Sequence, residues 1–193
     1  MLHMVLIRPG ATDFDEQGRI KGTLDIPLNE QGNTEVAQTI SELADVPVEM
    51  VYSAPCQAAL QTAEAVAAAR RAKCKTVEEL RNLDHGLWHG KLIEEVRQCQ
   101  PKVYRQWQEH PETVCPPGGE TLGEAQDRLR ASIGRIIKKH RSGVIAVVMP
   151  EPAASLVRCF LSDTELGNLW KAECDHGGWQ LIEVEPQKLA AST

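Results

Sequence analysis

Residues 3–13 read His3-Met4-Val5-Leu6-Ile7-Arg8-Pro9-Gly10-Ala11-Thr12-Asp13. The first five are a short apolar run rich in β-formers, Pro9-Gly10 breaks it, and a polar stretch follows as far as Pro27. A strand that delivers a loop is the reading. The same pattern recurs downstream. Asn29 can cap a helix over 30–44, on which Val36, Ala37, Ile40, Leu43 and Ala44 share one face. A strand over 47–52 follows, then Ser53-Ala54-Pro55, then an alanine-rich helix over 56–71 whose small side chains suit close packing on a sheet.

Signals weaken between Lys75 and Pro117: a short strand over 75–77, a loop punctuated by Gly86 and Gly90, and helices over 91–98 and 102–109. They recover at Thr121 and Glu124, a capping box. It opens a helix with an apolar stripe through Leu122, Ala125, Leu129, Ile133, Ile136 and Ile137, and Lys138, Lys139 and Arg141 suit the negative end of its dipole. Gly143 stops the helix, 144–148 is a buried strand, Pro150-Glu151-Pro152 turns the chain into a helix over 153–161, and the last strand is 179–184. Alternating strands and helices predict an α/β fold with a largely parallel sheet, which collects ligands at the carboxyl ends of its strands. Three loops follow those ends, at 8–13, 53–58 and 149–153.

Composition narrows the functional classes. The 193 residues, 42% of them hydrophobic, suffice for one core, and no repeat or linker divides them, so one domain over 1–193 is expected. Lysine and arginine number 21 against 27 acidic residues, a formal charge of −6, which argues against broad nucleic-acid binding. The longest apolar run, 144–149, is far short of the about 20 residues a bilayer requires, and no basic-then-apolar leader is present. A soluble cytoplasmic protein is expected. The cysteines Cys56, Cys74, Cys99, Cys115, Cys159 and Cys174 form no Cys-x-x-Cys pair and read as free thiols. His85 and His89 have the four-residue spacing of helical zinc ligands, but Gly86 and Gly90 argue for a loop, and neither metal nor cofactor is implied.

By themselves the three loops offer Arg8, Thr12, Ser53, Cys56 and Glu151, with no histidine among them. Arg8 could grip a phosphate or carboxylate bidentately, as against an ordinary surface ion pair. Cys56 stands at a helix N-terminus, where a thiol pKa would be lowered, yet Gln57-Ala58-Ala59 supplies neither a glycine-rich loop nor an arginine. Trp88, Trp107, Trp170 and Trp179 read as core or rim anchors.

Six stretches in order carry a resemblance to a known family: Leu6 to Asp13 with Gly18-Arg19-Ile20-Lys21-Gly22 and Leu24 to Gly32; Tyr52-Ser53-Ala54-Pro55 to Gln61-Thr62-Ala63-Glu64; Leu80-Arg81-Asn82-Leu83-Asp84-His85-Gly86-Leu87-Trp88-His89-Gly90; and Pro117-Gly118-Gly119-Glu120-Thr121. They resemble the histidine phosphatase superfamily, its phosphoglycerate-mutase-like branch. The resemblance implies a three-layer sandwich, and a chemistry in which a histidine takes the phosphoryl group while two arginines, a second histidine and a carboxylic acid surround it. Arg8 matches the first arginine, and Thr12 fits. The nucleophile falls on Pro9, the second arginine on Ala58, the acid on Asn82, and the late histidine near Pro150. Proline has no lone pair to attack with, and an amide cannot donate a proton at useful pKa.

A vestigial pocket of Arg8, Pro9, Thr12, Asn29, Ser53, Ala58, Asn82, Pro150 and Glu151 is therefore expected, with Arg8 paired to Glu151 across it. Two functions remain. One is a pseudo-phosphatase that binds a small molecule or a protein partner without turnover, the reading the sequence favours. The other is a phosphatase or phosphoglycerate mutase acting on a small phosphorylated metabolite through a relocated group: His85, His176, His3 or Cys56. His176-Gly177-Gly178 imitates the family's late histidine motif but precedes a strand, and so reads as a turn. A homodimer would be unremarkable for such a fold.

Overall fold

The computed structural model describes residues 1–184. In chain order these form β1 (Leu2–Ile7), α1 (Asp13–Gln17), α2 (Glu30–Glu42), β2 (Val48–Ser53), α3 (Gln57–Arg70), β3 (Lys73–Thr76), α4 (Ile93–Cys99), α5 (Pro101–Glu109), α6 (Leu122–Ile137), β4 (Gly143–Val148), α7 (Ala153–Ser162), α8 (Leu169–Glu173) and β5 (Trp179–Val184). The predicted elements are present, shifted by a few residues at their ends. Two short helices escaped the sequence. The five residues of α1 and of α8 are too few to show a 3.6 period, although Thr12 and Asp15 have the spacing of a capping box and do form one.

The strands lie in the order β3-β2-β4-β1-β5. β1 to β4 run parallel and β5 pairs antiparallel with β1, so the sheet is mostly parallel. β1 and β4 sit inside it and read as nearly unbroken apolar runs because both faces are covered. β3 is an edge, exposed along its length, and carries Lys73 and Lys75, charges that discourage further pairing. α2 and α3 pack together with α3 on β2 and β4, while α6 and α7 pack together with α7 on β1 and β5. Ala59, Ala63 and Ala67 of α3 are buried, which lets the helix approach the sheet closely. Among the described residues no helix is long and apolar enough to cross a membrane.

Three of the tryptophans join one buried cluster. Trp88, Trp107 and Trp170 meet with ring centroids 5.7–6.2 Å apart, and Tyr104 stacks on Trp170 at 4.9 Å. Trp179 stands at the rim, donating from its indole nitrogen to Glu42. The Asn82–Gly90 loop is fastened beneath that cluster by His85, whose Nε2 lies 3.1 Å from Glu173 Oε2, both side chains being fully buried. Residues 86–88 form only a single 3-10 turn, and His85 is engaged with Glu173.

Candidate active site

A narrow cleft opens where β1, β2 and β4 end. Its first wall is the loop after β1. Thr12 caps α1, and both its backbone N–H and its hydroxyl donate to Asp15 Oδ2 at 2.8 Å. The other oxygen of Asp15 pairs with Lys21. Asp15 and Lys21 are each 8% exposed, so the lysine's charge is carried into the cleft by a partner that offsets its desolvation. Gly10 is required by space: a Cβ there would lie 2.3 Å from the Gly32 carbonyl oxygen, where the start of α2 is pressed against the loop.

The second wall comes from the far end of the chain. β5 runs antiparallel to β1 with Trp179 opposite Ile7, and the pairing continues beyond the strands: Arg8 N–H donates to the Gly178 carbonyl at 3.1 Å and Gly177 N–H to the Pro9 carbonyl at 2.7 Å. This register sets His176 beside Pro9 and Gly10, and His176 lines the cleft. Its Nδ1 donates to Glu35 Oε2 at 2.9 Å, and the same oxygen accepts the Ala11 amide at 3.0 Å. Gln31 holds the other oxygen of Glu35 at 2.8 Å. With Nδ1 so committed, Nε2 is the nitrogen left for chemistry, and among the described residues it has no protein hydrogen bond. Lys21, Asp15, Glu35 and His176 were not joined into a site by the sequence. The Thr12-x-x-Asp15 spacing was the one local signal for the first of these contacts.

The expected pocket residues divide. Pro9, Thr12, Ala58 and Pro150 line this cleft. Asn82 lines an adjoining hollow that shares Gly22 and Cys56 with it, and its amide secures the 150–153 turn, Nδ2 donating to the Glu151 carbonyl at 2.9 Å and Oδ1 accepting from Ala153 N–H at 3.2 Å. Asn29 caps α2 and donates to Glu16, and Ser53 is fully buried, donating to the Ala54 carbonyl. Arg8 and Glu151 line a different cavity.

The expected Arg8–Glu151 pair does not form. The Arg8 Nε donates to the Gly177 carbonyl at 2.8 Å and its NH1 lies 3.7 Å from Asp175 Oδ2, because the β5 turn offers acceptors nearer than the α7 start does. Glu151 Oε2 instead accepts the Ser155 amide at 2.9 Å. Burial pushes its carboxyl up from the ordinary range, with Ser155, Arg8 and Arg158 pulling the other way.

The relocated candidates separate as clearly. Cys56 is the N-cap of α3, yet burial pushes its thiol up, more than the Ala59 amide and Lys21 draw it down, so the lowered pKa expected of a helix start is not found. Burial likewise takes Cys174 to about 11. His85 is buried against Glu173, and His3 lies on β1 opposite Glu183, toward the end of the strand remote from the cleft. His176 alone of these histidines lines the cleft.

The chain matches the histidine phosphatase superfamily (branch 1) over residues 4–193. It is 28% identical over 188 residues to phosphoserine phosphatase 1 of Hydrogenobacter thermophilus, covering 97% of this chain and 89% of that one. Among solved structures it is similar to Bacillus stearothermophilus YhfR, with a TM-score of 0.85, 27% identity, and 96% and 92% of the two chains covered. It also shares the fold of the alpha-ribazole phosphatase from Shigella flexneri, with a TM-score of 0.78, 22% identity, and 96% and 92% covered. These findings correct the expectation of a chain without turnover. Near full-length similarity to a protein named as a phosphatase points to enzymatic activity.

Proposed function

Since the chain belongs to the histidine phosphatase superfamily (branch 1), we propose that it is a phosphatase acting on a small phosphorylated metabolite, with His176 as the nucleophile. One observation carries this reading: the imidazole absent at position 9 has a counterpart at position 176, brought beside Pro9 by the Gly177–Pro9 hydrogen bond and oriented by Glu35. A nucleophile, the base-side nitrogen fixed by a carboxylate, and a neighbouring cation are what a covalent phosphoryl transfer needs.

In the reaction so framed, His176 Nε2 attacks phosphorus, and the P–O bond to the leaving alcohol breaks. The leaving oxygen takes a proton from water. The hydroxide so formed attacks the phosphoimidazole, the N–P bond breaks, and inorganic phosphate departs with His176 neutral again. Glu35 stabilises the positive charge that the ring carries while phosphorylated, through the Nδ1–H it accepts. Lys21 supplies positive charge to the phosphoryl oxygens from within the same cleft. Cys56, kept protonated by burial, is not asked to attack.

The test is turnover of p-nitrophenyl phosphate, phosphoserine and phosphoglycerate by the purified protein beside His176→Ala and Arg8→Ala. Turnover by the first, with a loss on the order of 10³-fold in His176→Ala and an acid-labile phosphoenzyme that disappears with it, is expected. Equal turnover in wild type and His176→Ala overturns the assignment.

A further inference from the structure

A second cavity, of about 210 Å3, lies between the edge of the sheet and α7, and it shares no lining residue with the cleft of His176. Its walls follow from register. Leu6 and Arg8 fall on the same side of the β1 line, Gln180 pairs opposite Leu6, and Ala154 and Arg158 stand one turn apart on α7. Ala154 leaves the centre open because its side chain is a single methyl group.

Two guanidinium groups face this space. Arg8 is anchored from behind, its Nε on the Gly177 carbonyl and its NH1 toward Asp175, whose side chain is 45% exposed. Arg158 is steadied by a 3.3 Å bond from NH2 to Ser155 Oγ, and among the described residues it has no carboxylate within ion-pair distance. Glu151, 2% exposed, completes the wall, with Oε2 occupied by the Ser155 amide. The three charged groups share one cavity without closing an ion pair on one another; Asp175 meets part of the charge of Arg8, and the guanidinium of Arg158, with no carboxylate partner among the described residues, is the group left to attract an anion. Planar guanidinium forks match the oxygens of a phosphate or carboxylate, and such charge-assisted bonds strengthen where water is partly excluded.

We propose that this cavity is an anion-binding site, distinct from the catalytic cleft, that takes the phosphate or carboxylate group of a small metabolite between Arg8 and Arg158, with Trp179 as its apolar wall.

Calorimetric titration at low ionic strength with inorganic phosphate, and separately with citrate, tests this on wild type, Arg158→Ala, Arg158→Gln and His176→Ala. Millimolar or tighter binding of either anion is expected, weakened about tenfold or more in both Arg158 variants, with citrate binding retained in His176→Ala. Phosphate without citrate, or the reverse, identifies which group the site prefers. Arg158→Gln keeps a donor for Ser155, and circular dichroism of each variant separates lost binding from lost fold. Equal affinity in wild type and the Arg158 variants, citrate binding lost only in His176→Ala, or no binding in wild type overturns the proposal. None of these outcomes depends on whether the protein turns over a phosphate ester.

Discussion

Glu35 Oε2 receives two donors at once, His176 Nδ1 at 2.9 Å and the Ala11 amide at 3.0 Å, and so ties residues 141 positions apart to the loop that follows β1. The carboxylate is fixed before it acts on the imidazole. An orienting group held in place from several sides loses little freedom when the ring becomes charged.

Glu35→Gln should therefore lower kcat on the order of 10²-fold or more while leaving KM nearly unchanged, since the amide neither stabilises the charged ring nor enforces its tautomer. Steady-state kinetics with a circular dichroism spectrum check this. An unchanged kcat would separate Glu35 from catalysis.

Gly177 has φ +63, and a Cβ built there would lie 2.9 Å from Glu35 Oε2. Gly177→Ala is expected to cost about 1–3 kcal/mol of stability, from strain in the left-handed region, and to displace His176 from Glu35. Urea denaturation measures the first effect and phosphate-ester turnover the second.

His85 and Glu173 are buried together, and Glu173 Oε1 has no hydrogen-bond partner, so the imidazole is the principal support of that carboxylate. His85→Ala leaves Glu173 without it. The expected loss is about 3–5 kcal/mol by urea denaturation, the cost of breaking rather than replacing a buried pair.

Glu151 gives a pH dependence whose sign can be worked out. Burial raises its carboxyl in the folded protein, against Ser155 and the charges of Arg8 and Arg158. The folded state then holds the proton more tightly than the unfolded chain, whose value is about 4.3. The contribution is present below that value and is lost as pH rises through the raised one. Wild-type stability measured relative to Glu151→Gln should accordingly fall as pH increases from about 4.3 toward neutrality. A flat or rising difference would contradict the cause given.

Much of the fold was legible locally. The apolar runs of β1 and β4, the Asn29 cap, the Thr121–Glu124 capping box and the stripe of α6 are signals spread over a few residues, and the structure reproduces them. Asp13–Gln17 and Leu169–Glu173 went unread because five residues are too short to display a period.

The site divides along the same line. Sequence by itself determined the α/β architecture, the loops at the strand ends, and the presence of Pro9, Ala58, Asn82 and Pro150 where the family resemblance sets its reactive groups. It could not decide what replaces them. His176 looked like a turn because its neighbours are glycines, and those same glycines let the turn pair with Arg8 and Pro9. Arg8 turned from its expected partner because Gly177 and Asp175 lie closer than Glu151, a competition among acceptors more than 140 residues from Arg8 in the chain. Periodicity and capping act within a turn or two of helix and can be read residue by residue. Register across an antiparallel edge, burial around a thiol and the choice among distant acceptors exist only once the chain has closed on itself.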